Sequence, residues 1–119
     1  MHQHLETLLE IQDLKSQKTE LQDTETERQV QEEVFNISID DALDALDRKV
    51  VEMEESLPAP IRSRYNRLAK RYPRVVAPVI RGTCYGCFVS VATAVSSDAG
   101  RNEEIEYCES CGRFLYLVD

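Results

Sequence analysis

The chain has 119 residues, no tryptophan, 7% aromatic and 30% charged side chains, and a net charge of −8, so it has room for one small domain or one compact module with an elongated attachment. Its longest uninterrupted apolar run is VVAPVI at 75–80, far short of the ~18 residues that a membrane-spanning helix needs. The charge is unevenly placed: residues 1–60 carry 5 basic and 16 acidic side chains, net −11, whereas 61–119 carry 9 and 6, net +3.

The opening segment, about residues 3–34, lacks Gly and Pro and is rich in Glu, Gln, Lys and Leu, which are good helix formers. Leu5, Leu8, Leu9, Ile11, Leu14 and Leu21 give it an apolar face that fades after Leu21. His2 and His4, at its start, read as a frayed terminus rather than as metal ligands. EVFNISID at 33–40 reads as a break, because Asn36 and Ser38 favour turns and caps, and Ser38 followed by Asp41 resembles a capping box for a second helix. From there Ile39, Leu43, Leu46, Val50, Met53 and Leu57 recur at spacings of 4, 3, 4, 3 and 4, the stripe of a coiled-coil seam. So short a stripe must pack against something, and an antiparallel hairpin with its tip near Phe35 to Asp40 is expected. A homodimer through the same seam is the further possibility.

SLPAPI at 56–61 interrupts the helix, since Pro58 and Pro60 suit a first turn and not an interior. A short third helix follows and ends before Pro73. It presents Ile61, Tyr65, Leu68 and Tyr72 on one face and Arg64, Arg67, Arg71 and Arg74 on another; Arg62 and Lys70 add to the charge, and no acidic residue occurs between 61 and 81. Beyond Pro73 the character changes to β: VVAPVIRGT, EIEYC and FLYLVD read as strands.

The only cysteines form C-x2-C-x20-C-x2-C: Cys84, Cys87, Cys108 and Cys111. A pair two residues apart lets both thiolates approach one ion from a tight turn, and two such knuckles complete the tetrahedral site that zinc prefers. Gly86, inside the first knuckle, and Gly112, after the second, stand where positive φ would turn backbone N–H groups toward sulfur. A thioredoxin-like dithiol would need one CxxC in a βαβ setting. The opening MHQHLETLLEIQDLK carries no secretory pattern, so a cytoplasmic location without membrane attachment is expected, and disulfides are disfavoured there. Iron in a rubredoxin-like site stays open beside zinc. Four protein ligands leave no open coordination position, so one structural Zn²⁺ is expected, with its binding energy acting as folding energy.

The stalk, SLPAPIRSRYNRLAKR, VVAPVIRGTCYGCF and YCESCGRFLY in this order resemble the bacterial C4-type zinc-ribbon, coiled-coil proteins, closely over about 56–119. In that comparison LLEIQDLKSQKTEL looks like the opening helix, the usual long hairpin is shortened, and VSVATAVSSDAG replaces a proline-containing loop. The resemblance implies the ligand set Cys84, Cys87, Cys108 and Cys111. It also implies nucleic-acid binding, or adaptor and chaperone roles in flagellar gene regulation and type III secretion.

The expected fold is α+β: an acidic helical hairpin or coiled coil over 1–57, a basic connecting helix over 58–74 and a β zinc ribbon over 75–119. No nucleophile–base pair or phosphate loop is visible, so an enzyme is not expected. The leading functional expectation is an adaptor or regulator that engages a protein partner. Nucleic-acid binding through Arg62, Arg64, Arg67, Lys70, Arg71 and Arg74, with Tyr65 and Tyr72 stacking on bases, comes second.

Overall fold

The computed structural model of the chain describes the backbone of residues 1–27, 32–92 and 101–118 and, within these, side chains outside 24–27 and 32–39. Three helices precede a small sheet: α1 (Gln3–Glu27), α2 (Glu32–Ser56), α3 (Ala59–Ala69), then β1 (Val76–Ile80), β2 (Thr83–Cys84) and β3 (Phe114–Leu117). The class is α+β, as the sequence indicates.

α1 and α2 form an antiparallel hairpin: Lys15 pairs with Glu54 at 3.5 Å while Lys18, further along α1, pairs with Asp47, earlier in α2. Of the seam, Val50 and Leu57 are buried and Leu43, Leu46 and Met53 are half-buried; the Ile39 side chain lies outside the described residues. The expected break at 33–40 is not there, because α2 already runs from Glu32 through Asn36 and Ser38. An interior Asn or Ser costs a helix under ~1 kcal/mol, which is less than continuous backbone hydrogen bonding returns. The hairpin tip expected near Phe35 to Asp40 is therefore not there, since those residues lie inside α2. The N-terminus is anchored rather than frayed: the His2 N–H donates to the Asn102 carbonyl at 2.6 Å and the terminal amine pairs with Glu103 at 3.3 Å.

Pro58 caps α3 and a second proline lies in its first turn, where neither N–H would have had an intrahelical partner. The helix buries Tyr65 and Leu68 against Leu5, Leu8, Ile11, Val50, Leu57, Val75, Val76 and Phe114, one core shared by all three helices and the base of the sheet. A second, smaller core holds Ala77, Val79, Leu115 and Leu117 with Cys84 and Cys108. It has no aromatic member, so the metal substitutes for apolar volume that these side chains do not supply.

The sheet order is β2-β1-β3. β1 and β2 pair antiparallel, Val79 facing Cys84 and Ile80 facing Thr83, through a two-residue turn whose Arg81 and Gly82 both have positive φ (53° and 76°), the geometry that suits the right-handed twist of a hairpin. β1 and β3 pair parallel from Val76–Phe114 to Val79–Leu117. EIEYC is not a strand; it contributes one isolated bridge, Tyr107 to Phe114. At one end the Asn102 side chain takes the place of backbone, accepting from the Leu117 N–H at 2.8 Å and donating to its carbonyl at 2.9 Å. At the other the metal-binding turn begins at once, with the Cys108 N–H bonded to the Arg113 carbonyl. No helix among the described residues is long and apolar enough to cross a membrane.

Candidate metal centre and cationic face

The β1–β2 hairpin delivers Cys84 and Cys87, and the turn entering β3 delivers Cys108 and Cys111. Their sulfurs all lie within 4.8 Å of one another. Across the two knuckles, Sγ of Cys84 is 3.9 Å from that of Cys111, and Sγ of Cys87 is 3.6 Å from that of Cys108. A tetrahedron with Zn–S bonds of ~2.3 Å spaces its sulfurs by about 3.8 Å, so the four fit a single zinc ion and none is in a disulfide. Four thiolates saturate the ion, which therefore supplies cross-linking and no reactive position.

Backbone N–H groups face the sulfurs, as thiolate ligation requires. Burial pushes the Cys84 thiol up to about 12 in the absence of metal, opposed by the N–H groups of Cys87 and Gly86. Cys87 moves the other way, to about 7: burial acts upward there too, but is outweighed by the Val89 N–H and by Cys108, Ser110 and Cys111. Cys111 is raised, by burial first, against the N–H of Arg113.

The two glycines act differently. Gly112 has φ 81°, as expected. Gly86 does not have positive φ; the left-handed residue of the first knuckle is Phe88, at 62°. Gly86 is required by crowding, since a Cβ there would fall 2.5 Å from Arg113 Nη1 and 3.1 Å from Ala77 Cβ.

Residues 83–115 match the family described as C4-type zinc ribbon domain. The described residues of this segment supply the two cysteine knuckles of a zinc ribbon. No curated protein matches the chain. Among solved structures, that of CT398 from Chlamydia trachomatis is similar, with a TM-score of 0.53 and 25% identity. The match covers 87% of this chain and 45% of that one, so this chain spans less than half the length of its structural relative.

The second zinc knuckle rests on α3. Arg64 Nη1 donates to the Gly112 carbonyl at 3.4 Å and the Tyr72 hydroxyl to that of Cys111 at 3.4 Å. Between them Arg64, Arg67, Leu68, Lys70, Arg71, Cys111 and Gly112 line an open concavity of about 470 Å³. Arg62 and Arg74 lie outside it; the Arg74 carbonyl accepts from Arg113 Nε at 3.1 Å. Tyr65 on α3 and Tyr72 just beyond it are not available to a ligand as expected. Tyr65 is 1% exposed, because its position on α3 faces the hairpin. Tyr72 is half-buried and is covered by guanidinium groups, Arg113 at 3.6 Å and Arg71 at 5.4 Å from the ring centroid. The exposed rings among the described residues are instead Tyr107, 37% exposed with Arg64 3.8 Å from its centroid, and Tyr85 and Phe88 in the first knuckle, whose only sequence signal is their place beside cysteine.

Proposed function

We propose that the protein is a non-enzymatic binding module in which the zinc ribbon holds α3 as a cationic docking face, and that the docked partner is nucleic acid. The observation that carries this reading is the pairing of charges. Among the described residues Arg64, Arg67, Lys70 and Arg71 form no ion pair, although they converge on one concavity. The acidic hairpin does not neutralise them; its described pairs are with its own Lys15 and Lys18. Unpaired cations on one concave face attract phosphates at long range and release counterions on contact. Saturated zinc coordination supports binding rather than catalysis.

The test is the affinity of the zinc-loaded protein for labelled oligonucleotides as a function of salt. Binding should weaken steeply with ionic strength and be abolished by Arg67→Glu with Arg71→Glu; binding that survives this double substitution overturns the reading.

A protein-binding adaptor is the second reading, favoured by the half-buried Leu43 and Leu46 and by Val51, 50% exposed, on an acidic hairpin. Leu46→Asp with Val50→Asp should then lose the protein partner, and normal capture by that variant counts against it.

A further inference from the structure

Two aromatic rings project from the first zinc knuckle where packing gives no reason for them. Phe88 is 71% and Tyr85 47% exposed, with ring centroids 5.5 Å apart and planes tilted by 53°. Phe88 also has φ 62°, a left-handed conformation in which a Cβ crowds the backbone and bulky residues are outliers. The corresponding position of the second knuckle is occupied by Gly112. An exposed ring is thus held where glycine would satisfy the backbone better, and strained residues of this kind concentrate at functional sites.

The knuckle that carries the rings adjoins the cationic face through Arg113. Gly86, between them in sequence, lies against the side chain of Arg113, and any Cβ at this position would displace it. Arg113 in turn stacks on Tyr72, whose ring also carries Arg71, and Arg71 lines the concavity on α3. A chain of contacts therefore leads from the knuckle backbone at Gly86 through Arg113 and Tyr72 to Arg71 and the unpaired cations.

We infer that Tyr85 and Phe88 form a stacking platform for unpaired bases, so that the nucleic acid held by this protein is single-stranded, with phosphates on Arg67, Lys70 and Arg71 and bases on the knuckle. The inference rests on the nucleic-acid reading above and narrows it. Surfaces that hold single strands combine a cationic track for the backbone with aromatic faces for the bases, and they tolerate any sequence because every base has a π face. In a duplex those faces are covered by neighbouring pairs, leaving only the phosphate contacts. A hydrophobic pocket on another protein could receive the same rings, but the adjoining Arg113 and Arg71 select a polyanion.

The test compares one labelled 12-nucleotide strand, alone and annealed to its complement, by fluorescence anisotropy on the full zinc-loaded chain. The wild-type protein should bind the single strand more tightly. Phe88→Gly removes the ring and relieves the backbone, so zinc content and thermal midpoint should be retained. Its single-strand affinity should fall about tenfold, while duplex affinity and the salt dependence stay unchanged because no phosphate contact is lost. Tyr85→Ala should act in the same direction. Equal affinity for both forms, or equal weakening of both by Phe88→Gly, overturns the platform while leaving the nucleic-acid reading in place. Absence of binding to either form by wild-type protein overturns both.

Discussion

In each zinc knuckle the residue after the second cysteine has positive φ and donates its N–H to the carbonyl of the first: Phe88 to Cys84 at 2.6 Å, Gly112 to Cys108 at 2.8 Å. The residue beyond it, Val89 or Arg113, turns its N–H to sulfur. Around this common backbone the surroundings diverge. The second knuckle sits on α3, with Leu68 3.8 Å from where a Gly112 Cβ would be, and turns Glu109 and Ser110 to solvent. The first knuckle places an aromatic pair in solvent and leaves Gly86 bare against Arg113. Metal geometry dictates what the two share, and the neighbouring elements dictate what they do not. The differences are therefore where partner recognition is to be sought.

The largest expected effect tests the shared part. One ion needs both knuckles, so Cys84→Ser and Cys108→Ser should each abolish metal binding and unfold the ribbon, a loss on the order of 10 kcal/mol. Metal content with near-ultraviolet circular dichroism measures this, and a variant that kept both would break the equivalence. Next come opposite signs at equivalent positions. Gly112→Ala places a Cβ at φ 81° and should destabilise by about 1–2 kcal/mol, whereas Phe88→Gly should be neutral or stabilise by up to about 1 kcal/mol. Thermal unfolding of the two zinc-loaded variants gives both signs, and a large loss from Phe88→Gly would mean that the ring serves folding.

A smaller effect probes the seat of the second knuckle alone. Tyr72→Phe removes the long hydrogen bond to the Cys111 carbonyl and should cost about 0.5–1 kcal/mol, read as faster zinc release to a chelator; an unchanged release rate would mean that this bond does not hold the knuckle.

The smallest concerns Tyr65, on α3, whose buried hydroxyl lies beside the Glu54 carboxylate without a well-formed hydrogen bond among the described residues. Tyr65→Phe should change stability at neutral pH by under ~0.5 kcal/mol, because no well-formed hydrogen bond is lost. Burial, and then the Glu54 carboxylate, hold this phenol above its ordinary value of 10.0. The unfolded chain therefore releases the proton first, and the stability involved is complete below pH 10 and lost as pH rises through the folded value. The phenylalanine variant should show a shallower alkaline decline in chemical denaturation; identical declines would contradict the burial of the hydroxyl.

Much of the metal centre is legible in the sequence, because ligand spacing is a local property: Cys84, Cys87, Cys108 and Cys111 converge as the C-x2-C pairs imply. The α+β order of elements and the proline start of α3 are legible for the same reason, whereas α3 ends at Ala69, ahead of the end at Pro73 that the sequence implies, and leaves Lys70, Arg71, Tyr72 and Arg74 beyond the helix. The start of α2 is not, because Asn36 and Ser38 favour a turn only weakly and continuous helix overrides them. EIEYC alternates like a strand, but its pairing with β3 is confined to the Leu115 N–H donating to the Glu106 carbonyl and the Tyr107–Phe114 bridge, with the Asn102 side chain bonding Leu117 on one side and the cysteine turn following on the other.

By itself the sequence determines the chemistry available: four thiolates for one zinc, an acidic stalk and a run of arginines next to them. Tertiary structure alone decides which groups reach solvent. It buries Tyr65 against the hairpin, covers Tyr72 with guanidinium groups, gathers Arg64, Arg67, Lys70 and Arg71 beside the second knuckle, and leaves Tyr85 and Phe88 in solvent. The reason is that spacing along the chain sets which residues share a face, whereas exposure depends on what packs against that face. Here part of that packing joins distant segments: Tyr72 meets Cys111, 39 residues on, and Arg64 meets Gly112, 48 residues on.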